Sequence, residues 1–260
     1  MRVLFVGDIV GKPGREGIKH FLKPLQQDYD IDVTIANAEN AAAGKGLTKE
    51  IANELFDYGI QFLTMGNHVW DNRDIMNFID RETRIIRPAN YPVGAPGQGY
   101  GFIRTKGYKI GVLNLSGRIF MNPLDDPFSG AIRWINLLKQ ETPIVLVDFH
   151  AEATSEKVAL GWFLDGKVSA VLGTHTHIQT ADARVLPQGT AYVTDVGMTG
   201  PRDSVLGIKK EIIINRFLTQ LPAKFELANG SIQLNAVVLH IDEKSGKASG
   251  IETIQRFIEE

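Results

Sequence analysis

The sequence predicts a four-layer α/β fold in which two packed, mixed β-sheets are flanked by helices. The first half of the 260-residue chain alternates short β-rich runs with amphipathic stretches, which is typical of βαβ units around a sheet. The second half repeats this order with more β-rich runs, which indicates a second sheet. A chain of this length can bury a large core, so we expect one domain over residues 1–260.

The first half supplies three predicted strands and three predicted helices. The strands are short apolar runs, as expected where both faces of a sheet are covered, and comprise residues 3–6, 33–36 and 62–65. The first helix carries apolar residues at helical spacing, and Pro24 is expected to end or kink it early. Thr48 caps the second helix, which Gly59 ends, and Asp71 or Asn72 caps the third.

The second half supplies most of the predicted strands. These runs are rich in apolar and β-branched residues and comprise residues 109–115, 144–149, 168–172, 191–194, 211–217, 232–241 and 250–257. Helices are expected around residues 132–138 and over residues 155–164, where apolar residues recur at helical spacing. Residues 242–246 have the composition of a hairpin loop between the last two strands.

Composition excludes several classes of site and partner. With 28 Lys and Arg against 30 Asp and Glu, the net charge is −2, so we expect no stable binding to nucleic acid. The absence of Cys excludes disulfides, thiolate metal sites and cysteine nucleophiles, and it fits a reducing compartment. No apolar run reaches the length of a membrane span, and the first residues do not form a signal peptide. We therefore expect a cytoplasmic protein without membrane attachment.

Polar side chains with metal-binding atoms follow five of the predicted strands directly. The carboxyl ends of strands in an open α/β sheet form the crevice where ligands bind, so we expect these side chains to meet at one edge. Oxygen and imidazole donors suit Mn, Fe or Zn, and a single Glu among them could bridge two cations. The residues are Asp8, Glu39, Asn40, Asn67, His68, His150, His175 and His177.

Each of these residues has an ordinary structural interpretation when taken alone. An Asp after a first strand is often a turn residue, and a buried His is more often part of a core than a ligand. The conjunction favours a site, because four of the six histidines follow apolar strands beside Asn or acidic residues. His20 and His240 lack that setting, and we interpret both as structural. The spaced glycines at positions 7, 11 and 14 predict a tight turn that lets Asp8 approach a metal.

The order of these motifs resembles the calcineurin-like metallophosphoesterases. That family has Asp-x-His, Gly-Asp-x-x-Asp, Gly-Asn-His-Asp/Glu, a later His, and Gly-His-x-His. Three departures stand in this chain: Val10 replaces the first His, Glu39 replaces the bridging Asp, and Thr174 separates Gly173 from the His pair. The same departures are found in a bacterial subgroup, the YmdB-like phosphodiesterases, which the chain resembles from residue 5 to about residue 207. Segments 7–11, 66–71 and 195–201 are similar to that subgroup.

The resemblance implies a metallophosphoesterase architecture, a β-sandwich flanked by helices with a two-metal centre. Asp8, Asn40 and His177 would hold the first metal, Glu39 would bridge, and Asn67, His150 and His175 would hold the second. The cofactors would be two divalent or trivalent ions, Fe or Mn above all, with Zn as a further option. The implied activity is hydrolysis of cyclic nucleotides (the 2′,3′-cyclic and also the 3′,5′-cyclic forms) or similar small phosphodiesters, by a hydroxide held between the metals. His68 would be catalytic, stabilising the transition state or protonating the leaving oxygen.

Other readings stay open at this point. An amidohydrolase also uses a His-x-His pair, but there the pair follows the first strand, whereas here it follows the last of the five strands that end in metal-binding residues. A metal-binding regulator with weak or vestigial phosphoesterase activity is the main alternative. Association into a homo-oligomer is also left open. Residues that bind substrate are not assigned: Trp70, Tyr91 and Phe120 are candidates for stacking on a base, and Arg118 and Arg202 for contacting a phosphate, although such residues are more often core or solvated.

Overall fold

The computed structural model describes residues 1–259, which form fourteen strands and five helices. The helices are α1 (Gly11–Asp28), α2 (Lys49–Asp57), α3 (Pro127–Lys139), α4 (Thr154–Leu164) and α5 (Lys210–Thr219). The strands are β1 (Arg2–Val6), β2 (Asp8–Ile9), β3 (Val33–Asn37), β4 (Phe62–Thr64), β5 (Ile85–Ile86), β6 (Tyr100–Thr105), β7 (Tyr108–Ser116), β8 (Val145–His150), β9 (Ala170–Thr174), β10 (Arg184–Val185), β11 (Ala191–Val193), β12 (Met198–Pro201), β13 (Ile232–Ile241) and β14 (Ala248–Ile258).

The strands form two mixed sheets. The first sheet has the order β2-β12-β13-β1-β3-β4-β5, with β14 also paired to β13. In it β1, β3, β4 and β5 are parallel, whereas β13 runs antiparallel to β1. The second sheet has the order β10-β11-β9-β8-β7-β6, with parallel central strands and antiparallel pairs at both edges. Two mixed sheets are what the sequence predicted.

The alternation of side chains along the strands explains the layers. On β1, Val3 and Phe5 face the second sheet and pack with apolar residues of β7 and β8, whereas Leu4 and Val6 face the opposite way. That outer face of the first sheet packs on α1 and α2. The outer face of the second sheet packs on α3 and α4. The resulting order of helix, sheet, sheet and helix confirms the predicted four-layer α/β fold.

Several helix ends follow the local chemistry of the sequence. The Thr48 side chain accepts a hydrogen bond from the Ile51 amide and caps α2, as predicted. Asn72 rather than Asp71 caps the next element. That element is a 3₁₀ turn over Arg73–Asn77, shorter than the helix expected there.

Two expectations about secondary structure were wrong. Pro24 does not end α1, which runs on to Asp28; the apolar face of the helix stays buried through Leu25, so packing outweighs the lost backbone hydrogen bond. Residues 211–217, expected as a strand, lie in helix α5. Ile213, Phe217 and Gln220 line one groove at helical spacing, and no residue of the helix is buried, so the β-propensity of the Ile run is not reinforced by packing in a sheet.

None of the helices in residues 1–259 combines the length and the apolar character that a membrane crossing requires.

Candidate functional site

The eight polar residues singled out from the sequence lie in one contact network between the two sheets. They come from the carboxyl ends of strands in both sheets, so the site lies where the two sheet edges meet. Contacts across the sheets join His175 to Asp8 and His150 to Glu39. The network comprises Asp8, Glu39, Asn40, Asn67, His68, His150, His175 and His177.

The Nε2 atom of His150 is the centre of the first half of this network. Asn67 Oδ1 lies 2.9 Å from it, Glu39 Oε1 lies 3.0 Å from it, and His175 Nδ1 lies 2.9 Å from it. A ring nitrogen carries at most one proton, so hydrogen bonds cannot satisfy all three neighbours at once. Ligand atoms of Glu39, His150 and His175 all lie within 4.8 Å of one another.

The second half of the network contacts the same Oε1 atom of Glu39. Asn40 Nδ2 lies 3.2 Å from Glu39 Oε1 and 3.2 Å from His177 Nε2. The Asp8 carboxylate is fully buried; its Oδ2 accepts the His175 amide at 3.2 Å, whereas its Oδ1 has no hydrogen-bond partner. Glu39 Oε1 therefore contacts both halves of the network.

These residues fit a bound cation better than they fit each other. A buried carboxylate oxygen without a partner is costly in a folded protein, and a cation would supply the missing partner. One cation would also satisfy the three atoms that crowd the His150 nitrogen. The donors are carboxylate oxygens, amide oxygens and imidazole nitrogens, the set that suits Mn, Fe and Zn.

His150, His175 and His177 each contact a partner through the ring nitrogen on the side away from the network. His177 Nδ1 donates to the carbonyl oxygen of Leu206 at 3.1 Å, and His175 Nε2 donates to Glu152 at 3.0 Å. His150 Nδ1 donates to the Thr174 hydroxyl at 3.0 Å, which itself donates to a carboxylate oxygen of Asp148 at 2.7 Å. Such outer contacts fix ring orientation, and the inner nitrogen offers a lone pair whenever the ring is neutral.

Sequence reasoning did not identify these orienting partners. Glu152 and Asp148 each lie two residues from His150, a spacing that places alternate side chains of an extended chain on one side. That spacing is a signal that could have found both. The Leu206 contact is made by a backbone carbonyl, and the sequence carries no signal for it.

Burial and mutual attraction shift the pKa values of the site. Burial alone would raise the pKa of Glu39, but the attraction of His150 prevails and lowers it to about 2. Burial opposes charge on His150 as well, yet the charge of Glu39 raises the pKa of His150 to about 9. Burial lowers the pKa of His175 to about 3, with repulsion from His150 adding to the effect. Without metal, the pocket therefore holds an ionised Glu39 beside a protonated His150.

We expect the affinity for Mn²⁺ to rise about tenfold per pH unit between pH 6.5 and 8.5. The raised pKa of His150 means that a proton occupies this ring below about pH 9, and a cation bound at Nε2 must displace it. The same proton stabilises the metal-free fold below pH 6.5, and that contribution is lost as the pH rises through 9. Titration calorimetry in buffers of different ionisation enthalpy measures the proton release. An affinity independent of pH, with no proton released, would contradict a ligand role for His150.

Gly66 leaves room for the network because it has no side chain. A Cβ atom there would lie 2.2 Å from Glu39 Oε2 and 2.4 Å from His150 Nε2. The Gly-Asn-His motif therefore needs a glycine for space at its first position.

We expect Gly66→Ala to displace both side chains and to lower Mn²⁺ affinity by more than about tenfold, since even outer contacts of a metal site are worth 10–100-fold. Equilibrium dialysis with metal analysis gives the affinity, and circular dichroism checks the fold. Gly130→Ala is the matched control, because its Cβ would meet no atom within 4 Å and it lies in helix α3. Equal Mn²⁺ affinity in the two variants would show that the network does not need a glycine at position 66.

His68 joins the network through its backbone amide, whereas its ring contacts Asp71. Its backbone amide donates to Glu39 Oε2 at 3.1 Å, and its ring Nδ1 donates to Asp71 at 2.9 Å. The His68 side chain is partly exposed, with 27% of its surface accessible.

The weaker candidates from the sequence make ordinary structural contacts, with one exception. Trp70 and Tyr91 pack edge-to-face, with their ring centroids 5.8 Å apart. Both rings also pack against the core beneath α1 and α2. Phe120 is the exception, since it is 89% exposed in a loop and has a left-handed backbone with φ of 61°. The two arginines are paired with acidic residues: Arg118 with Asp126 and Arg202 with Glu259.

The two remaining histidines do not join the network. His240 pairs with Glu252 on the neighbouring strand, and His20 packs edge-on against Phe21. Both positions match the structural interpretation given from the sequence.

Known proteins were compared with the chain by sequence and by structure. A solved structure of a hypothetical protein from Thermus thermophilus is 42% identical, with a TM-score of 0.93 and 99% of each chain covered. A solved structure from Mycoplasma pneumoniae, described as a novel phosphatase, is 36% identical with a TM-score of 0.94, covering 99% of this chain and 93% of that one. A 2′,3′-cyclic-nucleotide 2′-phosphodiesterase of Bacillus subtilis (strain 168) is 52% identical over 254 residues, which cover 98% of this chain and 96% of that protein.

The family resemblance inferred from the motifs was tested over almost the whole chain. The family model described as YmdB-like protein matches residues 4–254. The prediction from the sequence is confirmed, and the chain belongs to the YmdB-like family.

Proposed function

We propose that this protein is a metal-dependent phosphodiesterase that hydrolyses 2′,3′-cyclic nucleotides, with 3′,5′-cyclic nucleotides as a second substrate class. The observation that carries the proposal is the crowding of Asn67, Glu39 and His175 around one nitrogen of His150, which a cation would resolve. The 52% identity to a 2′,3′-cyclic-nucleotide 2′-phosphodiesterase supports the choice of substrate.

The residues would hold two cations in the division that the motifs imply. Asp8, Asn40 and His177 would serve one cation; Asn67, His150 and His175 would serve the other, and Glu39 contacts both groups. Bound in this way, the cations would polarise the phosphate and lower the pKa of an attacking water. Asn40 would bind through Oδ1, which a rotation of its amide turns toward His177.

The chain's own part in the reaction falls on His68. In a 2′-phosphodiesterase the water oxygen adds to phosphorus, the bond from phosphorus to O2′ breaks, and O2′ takes up a proton. Asp71 holds the Nδ1 side of the His68 ring, so Nε2 is the atom that would deliver this proton. The hydrogen bond from the His68 backbone amide to Glu39 fixes the position of His68 relative to the proposed metal ligands.

We propose Fe or Mn as the cations, with Zn as a third candidate. Oxygen donors equal or outnumber imidazoles in both groups, which suits these metals. Val10 is buried where related enzymes have a histidine, so the first site has one imidazole fewer. The lack of Cys fits our proposal of a cytoplasmic location.

A regulator with weak phosphoesterase activity is the second candidate function, and one surface favours it. Helix α5 buries none of its residues, and Phe217, Leu218 and Leu221 are largely exposed at its end. Exposed apolar patches of this kind often contact other proteins.

Reconstitution separates the two candidates. Protein stripped with a chelator and reloaded with Mn²⁺ or Fe²⁺ is mixed with 2′,3′-cyclic AMP, 3′,5′-cyclic AMP or bis(p-nitrophenyl) phosphate. The phosphodiesterase proposal expects metal-dependent turnover of 2′,3′-cyclic AMP to 3′-AMP, identified by chromatography against 2′-AMP. Protein that binds the metal and hydrolyses none of these diesters would overturn it in favour of the regulator.

A further inference from the structure

A buried ion pair contacts the loop that carries His175 and His177. Lys157 of α4 and Asp195, which follows β11, have side chains only 1% and 0% exposed, and Lys157 Nζ lies 2.7 Å from Asp195 Oδ2. A buried ion pair usually adds little to stability, because the loss of hydration offsets the attraction between the charges. A role besides stability is therefore worth seeking in the other contacts of this pair.

Asp195 also holds the residue between the two histidines. Its Oδ2 accepts the amide of Thr176 at 3.0 Å and the hydroxyl of Thr176 at 2.7 Å. Its Oδ1 accepts the amide of Gly197 at 2.8 Å. The carboxylate therefore ties the loop that carries His175 and His177 to the segment between β11 and β12.

The backbone of this loop has an unusual conformation. His175 has a φ of 96° and His177 a φ of 66°, in the left-handed region that residues with side chains rarely adopt. This conformation sends the two rings to different places: His175 Nδ1 lies 2.9 Å from His150 Nε2, and His177 Nε2 lies 3.2 Å from Asn40 Nδ2. Strained backbone persists only where surrounding contacts impose it, and Asp195 supplies those contacts at Thr176.

We propose that Asp195 and Lys157 are positioning residues for the metal centre: Asp195 clamps Thr176 so that both histidines face the cations, and Lys157 balances the buried charge of Asp195. The part of this inference that concerns cations rests on the proposed function. The part that concerns the loop rests on the contacts alone. Lys157 is suited to its task because its ammonium group also lies 3.5 Å from the Thr176 hydroxyl, beside the same clamp.

The test uses a double variant that separates clamping from folding. Lys157→Met/Asp195→Leu replaces the pair by apolar side chains of similar volume, a change that often leaves stability intact. It removes both acceptor oxygens and so releases Thr176 and Gly197. The matched control is Lys209→Met/Glu226→Gln, which removes an ion pair of the same 2.7 Å length on the surface.

Two measurements are made on the full chain. Hydrogen exchange of residues 174–178 in the metal-free protein reports on the loop, and Mn²⁺ titration reports on the cations. We expect faster exchange in this segment and at least about tenfold weaker Mn²⁺ binding in the double variant, which stays folded although its thermal midpoint falls, because the Thr176 and Gly197 donors lose their acceptor. The control should match the wild type in all three.

The outcomes distinguish this inference from the proposed function. If the wild type binds no Mn²⁺, the proposed metal centre fails, whereas faster exchange in the double variant would still support the clamp. Unchanged exchange with unchanged Mn²⁺ affinity would overturn the positioning role. If the double variant unfolds, the Thr176→Val variant, which removes only the hydroxyl contact, replaces it. Unchanged exchange and unchanged Mn²⁺ affinity in Thr176→Val would overturn the positioning role. Moderately faster exchange with moderately weaker Mn²⁺ binding would support it.

Discussion

Replacing His68 with alanine is expected to lower kcat by about 100- to 10,000-fold while the protein keeps its cations. The His68 ring contacts Asp71, and within residues 1–259 it makes no hydrogen bond to Asp8, Asn40 or the other proposed ligands. Its link to Glu39 runs through the backbone amide, which alanine retains. The variant therefore loses the proposed proton donor and leaves the metal ligands in place.

Two substrates make this test specific for proton donation. The leaving oxygen of a cyclic nucleotide is an alkoxide and needs a proton, whereas p-nitrophenolate leaves readily without one. We therefore expect a much smaller loss with bis(p-nitrophenyl) phosphate than with 2′,3′-cyclic AMP. Equal losses on both substrates would argue against a proton donor, and depleted metal in His68→Ala would make His68 a ligand. Asp71→Asn is the companion variant: it keeps the ring, alters its orientation and should cost less than His68→Ala.

Much of the fold and the membership of the site could be predicted because both depend on local sequence. A buried strand such as β3 is a continuous apolar run, and the polar residues directly after such runs must lie at the carboxyl edge of the sheet. This rule brought Glu39 and His150 together in the prediction, although they belong to different sheets and are far apart along the chain. Their 3.0 Å contact in the structure is the outcome.

The remaining features depend on contacts that a pattern does not encode. Helix α5 has a β-branched run but buries none of its residues, so this run has no sheet to pack in and its β-propensity is not expressed. The Leu206 carbonyl that orients His177 is contributed by the backbone, so any residue could supply it. The left-handed conformation of His175 follows from hydrogen bonds to distant groups, including Asp8.

Replacing Glu39 with glutamine is expected to remove both cations rather than one. Glu39 Oε1 contacts His150 in one half of the network and Asn40 in the other, while Oε2 accepts the His68 amide. Glutamine has the same shape with one acceptor oxygen, so its NH₂ group must face either the His68 amide or the cations. It also removes the negative charge that the two proposed cations would share. We expect Mn²⁺ affinity to fall more than about 100-fold at both sites, since lesser contacts are worth 10–100-fold.

The metal-free variant provides a second readout for the same change. The charge of Glu39 raises the pKa of His150 to about 9, and burial acts in the opposite direction. Glu39→Gln should therefore lower the pKa of His150, which NMR titration of the ring measures without any metal. The stability that the protonated His150 gives the metal-free fold should then be lost at a lower pH than in the wild type.

The stoichiometry of bound Mn²⁺ decides whether Glu39 bridges two cations. Glu152→Gln is the matched control, because Glu152 contacts only the outer nitrogen of His175 and should weaken one site alone. Two ions per chain in Glu39→Gln would contradict any ligand role for Glu39. Loss of a single ion, as expected for Glu152→Gln, would make Glu39 a ligand of one cation. We expect the loss of both ions, with turnover of 2′,3′-cyclic AMP falling in parallel, because Glu39 Oε1 contacts both halves of the network.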